Sequence, residues 1–470
     1  MVFSSLIFLL FFFPALLVCY FCVPKKLRGV RNCVLLGFSL FFYRCGGADY
    51  LPLLLISIGA NYVGGLLAAS ERPALKRLGL WGAAAVGLGM LGWFKYAGFA
   101  AENLNALGLP VPVPEIVLPI GISFFTFQGL SYVIDVYRGD AQRQKNPLYV
   151  ALYVSLFSQL VAGPIVRYTT VEEEITQREE SIHEFSQGVV RFLFGLGKKM
   201  LLANVMGEVA DAIFGQPAGG IGPALAWMGA LAYTLQIYLD FSAYSDMAIG
   251  LGRMFGFHFL ENFNYPYISR SVTEFWRRWH ISLSSWFRDY VYIPLGGSRR
   301  SLGRNLFNLT AVWLLTGLWH GASWNFVLWG AWFLALLAGE RYLWGGRLRR
   351  APGAVGWLYA MLAAVFSWVL FRSPSLSYAL GYFGAMFGLG GGADGQEVYF
   401  LLEYWPEWIG ALLAILPWKL WLQERLEERG DALSQGVLEW APKLMALGLM
   451  GLSYVKLVSG SFNPFIYFQF

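Results

Sequence analysis

From Met1 to Lys145, apolar stretches, all but a short one at 33–43 of span length, alternate with short loops of alternating charge. Residues 3–22 are followed by Lys25, Lys26, Arg28 and Arg31. Residues 33–43 and 50–69 are apolar, and the next loop carries Arg72, Lys76 and Arg77. Residues 79–98 are apolar again, and loop 101–115 holds Glu102 and Glu115 but no Lys or Arg. Residues 116–134 then lead to Arg138, Arg143 and Lys145. Backbone that crosses hydrocarbon must satisfy its own hydrogen bonds, and stretches of about 20 residues do so as helices. Cytoplasmic loops collect Lys and Arg. The pattern predicts five spans with the N-terminus outside.

Composition extends this to the whole chain. Charged residues are 14% of the 470 and hydrophobic residues 57%, whereas soluble domains carry about 25% charged residues. The apolar supply allows at most about thirteen spans. The net charge of +6 fits cytoplasmic loops rather than nucleic-acid binding. The first stretch lacks a basic n-region and a small-residue cleavage site, so it reads as a retained span. Cys19 and Cys22 form a C-x-x-C without a second pair or a nearby His. With Cys33 and Cys45 they read as small apolar helix residues.

The middle is less regular. Residues 148–164 are apolar, 166–186 form an acidic amphipathic stretch, and a helix near 187–206 carries Lys198 and Lys199. The apolar run 223–250 contains Gln236, Asp240 and Asp246. Segment 253–305 has eight basic and three acidic residues and reads as cytoplasmic or interfacial. Further spans are expected near 306–319, 323–339, 355–371, 407–417 and 444–459. An amphipathic stretch at 374–389 and a charged one at 419–443 lie between them. The expected fold is an all-α polytopic bundle of about ten to twelve spans, some short or re-entrant. It forms a single membrane-embedded domain, with a motif-bearing core at about 115–345 and peripheral helices at 1–100 and 355–470. No internal repeat is visible, which counts against an inverted-repeat transporter.

The hairpin at 305–340 is the most informative segment. Arg299, Arg300 and Arg304 precede it, and Arg341, Arg347, Arg349 and Arg350 follow. Both ends are therefore expected on the cytoplasmic side. Asn305 to Trp319 is about 22 Å of helix, short of a hydrocarbon core of about 30 Å. The turn Gly317–Asn325 is thus expected inside the membrane profile, where irregular backbone survives only within protein or beside water. This places His320 in an enclosed site. An ionisable residue there is a functional candidate, and burial favours the neutral imidazole, a general base near pH 7. The alternative is a histidine that only satisfies carbonyls of a broken helix.

Three other histidines complete the set. His183 reads as solvated and His258 as interfacial. His280 lies in a stretch whose Phe275, Trp279, Leu283 and Trp286 fall at helical spacing on one face. Arg277, His280, Ser284 and Arg288 share another. One continuous interfacial helix is expected, with arginines that hold either lipid headgroups or an anionic cytoplasmic donor. Asp240 and Asp246 need partners; arginines of segment 270–290 are expected, and a proton relay is the alternative. No G-x-x-x-x-G-K-[ST], G-x-S-x-G or H-E-x-x-H occurs, and no metal site is expected.

The stretch from Tyr267 to Ser284, with Glu274-Phe275-Trp276-Arg277-Arg278-Trp279-His280 at its centre, resembles the signature of membrane-bound O-acyltransferases. Gly317-Leu318-Trp319-His320-Gly321 is similar to the family's second signature. The run Leu239–Gly250 resembles the bacterial alginate O-acetylation branch, with Ala243 where glycine is usual. So do Leu118–Phe124, Ala162-Gly163-Pro164 and the opening Met1–Ser5. The resemblance covers residues 1 to about 375.

The resemblance implies a helical bundle with a central funnel or tunnel. It implies His320 at the catalytic histidine position and His280 at a further family histidine. Donor contacts would come from Arg277, Arg278 and Arg288, with Asp240, Asp246 and Asn325 as a supporting polar network. It also implies acetyl-CoA as donor substrate with no bound cofactor, and an inner-membrane location among lipids. The acceptor would be an extracytoplasmic polysaccharide, alginate first, then cellulose or peptidoglycan. A periplasmic or membrane-anchored SGNH-type acetyltransferase would be the partner. Two other readings stay open: a transporter of the donor or polymer, and an assembly subunit without chemistry.

Overall fold

The computed structural model describes residues 1–392 and 395–460, and among them every regular element is helical. Among the described residues, five helices are long and apolar enough to cross a membrane: Leu51–Ala68, Pro73–Ala106, Trp324–Arg350, Gly353–Arg372 and Ala432–Val458. Other apolar stretches form shorter pieces, such as Phe8–Phe21 and the four-residue Phe157–Leu160, while the run 223–250 lies in the 32-residue helix Pro223–Met254. The chain thus folds as an all-α polytopic membrane protein. It divides into two compact units: Met1–Phe192 with Met247–Leu260, and Leu193–Asp246 with the chain from Glu261 on.

In the first unit, the helices Leu51–Ala68 and Pro73–Leu91 cross where Gly64 meets Gly79. A Cβ on Gly79 would stand 2.5 Å from the Gly64 carbonyl oxygen, so only the smallest residue permits this approach. The expected span at 79–98 is part of a longer helix that passes through a π-turn at Gly92–Tyr96 to Ala106. The expected span at 116–134 begins later, at Ile122. Pro110, Pro112, Pro114 and Pro119 keep the preceding segment out of helix. The acidic stretch forms the helix Tyr168–Gln177, which buries Tyr168, Val171 and Ile175 at the spacing of one helical face.

Beyond that helix, Glu180 organises a polar knot. Its carboxylate accepts from Arg28 and from the Tyr20 hydroxyl at 2.5 Å, and it pairs with Arg31 at 3.1 Å. Arg178 Nη2 donates to the same hydroxyl at 2.9 Å. Burial alone raises the Glu180 pKa. The hydrogen bonds from Arg28 and Tyr20, with the Arg28 and Arg178 charges, outweigh it and bring the pKa down to about 2.

The second unit is built on aromatic packing. Trp276 meets Trp313 at 4.7 Å and Phe333 at 4.9 Å between ring centroids. Trp279 meets Trp368 at 4.8 Å, and Trp329 meets Phe333 at 5.1 Å. Such rings bury large area in edge-to-face and tilted geometry, so the elements that carry them are held rigidly. The charged stretch at 419–443 is helical. It forms the helix Trp418–Arg429 and the start of Ala432–Val458. Gly430 separates the two at φ 64°, and Asp431 caps the second through the Ser434 N–H at 2.6 Å.

Candidate active site

His320 ends the helix Leu302–His320, and the chain returns as Trp324–Gly339. The expected nine-residue irregular turn is therefore shorter. Gly317 and His320 are helical, and the break is confined to Gly321–Ser323. Two glycines allow the tight return. A Cβ on Gly317 would lie 2.3 Å from the Phe326 carbonyl oxygen, and one on Gly330 2.3 Å from that of Trp313. Asn325 Nδ2 donates to the Ser373 carbonyl at 2.7 Å, which ties the turn to the end of the helix Gly353–Arg372. His320 is 7% exposed. Its ring is walled by Trp319 at 5.0 Å, Trp329 at 4.9 Å and Phe371 at 5.2 Å.

The single interfacial helix expected across 273–289 is two helices, Val272–Arg278 and Ile281–Phe287. The break falls at Trp279–His280, where His280 takes φ 42°. A side-chain-bearing residue in that region is strained by about 1–2 kcal/mol. The turn swings the imidazole inward, so His280 is fully buried, while Arg277 and Arg288 are exposed. The shared polar face read from the spacing does not exist.

The two histidines meet across one indole. The Trp319 ring lies 5.0 Å from that of His320 and 5.8 Å from that of His280. Phe241 closes the far side of His280 at 4.6 Å, edge-on. Two buried imidazoles among aromatic rings are chemically able to exchange protons with a hydroxyl and a leaving group.

Asp240 and Asp246 pair with lysines. Lys199 Nζ stands 2.7 Å from Asp240 Oδ1, both side chains at most 3% exposed. Lys198 Nζ stands 2.5 Å from Asp246 Oδ2 and donates to Ser242 Oγ at 3.1 Å. Both lysines begin the π-turn Lys198–Ala203. Its wider winding lets consecutive residues reach carboxylates on the helix Pro223–Met254. Two of the arginines pair with acids near them in the chain. Arg278 pairs with Glu274 at 3.0 Å and donates to the Asn264 carbonyl at 3.1 Å. Arg288 pairs with Asp289 at 2.6 Å. Arg277 has no ion-pair partner among the described residues and faces outward.

Of the other histidines, His183 is exposed, and His258 Nδ1 lies 2.7 Å from Glu174 Oε1. The described residues hold no group of three His, Cys, Asp or Glu able to bind a metal.

The sequence reading missed Asn262, Ser282 and Trp319 as neighbours of the histidines. A signal for Asn262 exists in retrospect. It is an uncharged amide between Glu261 and Phe263, four positions before Pro266, in an aromatic-rich segment too short for a span.

Residues 141–380 match the model of MBOAT, the membrane-bound O-acyltransferase family. The chain is 40% identical to the probable alginate O-acetylase AlgI of Azotobacter vinelandii over the full length of both. It is 44% identical to the protein of that name from Pseudomonas aeruginosa, over 83% of this chain and 75% of the other. With the peptidoglycan O-acetyltransferase of Helicobacter pylori it shares 32% identity, over 92% and 90% of the two chains. A matched family signature with two enclosed histidines, and full-length similarity to these acetylating proteins, lead to one assignment: the chain belongs to the membrane-bound O-acyltransferase family and is an acyltransferase.

Proposed function

We propose that this protein moves acetyl groups from cytoplasmic acetyl-CoA across the bacterial inner membrane for O-acetylation of an extracytoplasmic polysaccharide, alginate. The observation that carries the reading is the placement of His280 and His320 about Trp319. Full-length similarity to the Azotobacter protein supports alginate. Similarity to the Helicobacter protein supports peptidoglycan as the second acceptor. The N-terminus lies outside, as the basic loops indicate, and the whole chain acts as one catalytic domain.

In the proposed reaction His320 takes the proton of an acceptor hydroxyl. The oxygen attacks the thioester carbonyl, a C–O bond forms and the C–S bond breaks. The CoA thiolate leaves and takes up a proton, so the imidazole ends neutral. Asp240, Asp246 and Asn325 hold the surrounding helices in register rather than reacting. Arg277, exposed, meets the donor's phosphates, with Arg278 and Arg288 adding charge nearby. The acceptor hydroxyl belongs to the polymer or to an SGNH-type partner acetyltransferase that completes the transfer.

Purified protein in liposomes, given acetyl-labelled acetyl-CoA, tests this. Release of CoA with label on a hydroxyl acceptor supports the reading. Passage of intact acetyl-CoA without thioester cleavage would instead show a transporter.

A further inference from the structure

The segment that holds His280 is clamped twice by one residue. The Ile281 N–H donates to the Asn262 backbone carbonyl at 2.9 Å, and the Asn264 N–H donates to the Arg278 carbonyl at 2.9 Å. These bonds zip 262–264 along the break between the two short helices. Inside the zip, three groups converge on Asn262 Oδ1: the Ser282 N–H at 3.2 Å, the Ser282 hydroxyl at 2.8 Å and His280 Nδ1 at 3.2 Å. Asn262 is fully buried, and its Nδ2 donates to Ser245 Oγ at 3.1 Å.

Hydrogen-bond logic then settles where protons sit. A backbone N–H can only donate, so the Asn262 atom facing Ser282 N–H is the oxygen. An amide oxygen can only accept, so Nδ1 must carry the hydrogen in the bond between it and His280. The Ser282 hydroxyl could supply a proton to Nδ1 instead, but that contact is longer, at 3.4 Å, than its bond to Asn262. Nε2 of His280 is buried and meets no hydrogen-bonding group among the described residues. A neutral imidazole with hydrogen on Nδ1 presents a lone pair on Nε2.

We propose that Asn262 is a positioning residue that locks His280 in the Nδ1–H tautomer and so presents the Nε2 lone pair to the reacting groups. The inference rests on His280 belonging to the acid–base pair described above. It assigns to Asn262 and Ser282 a task that the strained backbone at His280 also serves, since the same clamp holds the residue at positive φ. The proton that Nε2 gains during a turnover is returned from Nε2, while Nδ1–H stays bonded to Asn262 throughout. A wrongly held ring would offer N–H where a base is needed.

The test is 15N NMR of the detergent-solubilised full chain labelled at histidine. The chain has only four histidines, each with two ring-nitrogen signals, and the His280 pair is assigned by its loss in His280→Gln. The expected result at neutral pH is a protonated Nδ1 and a bare Nε2. The reverse pattern overturns the proposal. Activity supplies a second arm. Asn262→Leu keeps the volume but accepts nothing, and turnover should fall on the order of 10²-fold with KM unchanged. Asn262→Asp still accepts from Nδ1 and should recover part of the loss. Full turnover in folded Asn262→Leu would overturn the proposal while leaving His280 itself in place. Full turnover in His280→Gln would instead overturn the two-histidine reading. If Asn262→Leu fails to fold, the NMR of the unaltered protein decides alone.

Discussion

Lys199 and Asp240 face each other at 2.7 Å with at most 3% of either side chain exposed. Removing one partner strands a charge in an apolar surrounding, which costs about 3–5 kcal/mol. Lys199→Met should therefore lower the thermal midpoint of the purified protein sharply. Lys199→Met combined with Asp240→Leu should recover much of that loss, because neither charge is left alone. Equal destabilisation in the single and double variants would contradict the pairing.

Glu180 makes stability depend on acid pH. Its folded pKa of about 2 lies below the ordinary value of about 4.3. The stabilisation it gives is complete above the ordinary value and is lost as pH falls toward 2. Glu180→Gln should be less stable than the unaltered protein at pH 7, and the gap should close between pH 5 and pH 2. A gap independent of pH across that range would rule out the ionised knot.

His280 separates backbone strain from chemistry. Its φ of 42° suits glycine, so His280→Gly should be more stable than His280→Ala by about 1 kcal/mol. Both should lose activity alike, because both lack the ring. Activity retained in the glycine variant would reduce His280 to a turn residue.

The hairpin depends on Gly317. A methyl group there would stand 2.3 Å from the Phe326 carbonyl oxygen, closer than atoms can approach. Gly317→Ala must push the helices Leu302–His320 and Trp324–Gly339 apart, at about 1–3 kcal/mol. Turnover should fall with the displacement of His320. A thermal melt alongside CoA release checks both effects.

Much of this arrangement was legible in the sequence, and the exceptions have physical reasons. The hairpin around His320 could be read because basic loops flank it, although its first helix is the nineteen-residue Leu302–His320 rather than the fifteen residues counted from Asn305. Its turn was overestimated because the helix was expected to give way at Gly317. Gly317 instead sits in helix, where it admits a neighbouring backbone. The break at His280 was hidden because Phe275, Trp279, Leu283 and Trp286 keep helical spacing across it, and no glycine marks the positive φ. The partners of Asp240 and Asp246 were misjudged because arginines lay nearer in sequence. Nothing in the pair Lys198-Lys199 announces a π-turn. The alternating loops at the N-terminal end gave the early helices well, except where four prolines between 110 and 119 delayed the next one to Ile122.

The central claim is that His320 performs the transfer, and acetyl content of the exported polymer tests it most directly. Cells whose only copy carries His320→Ala should make the membrane protein at the normal level and export polymer without acetyl groups. Normal acetylation by that variant would contradict the account.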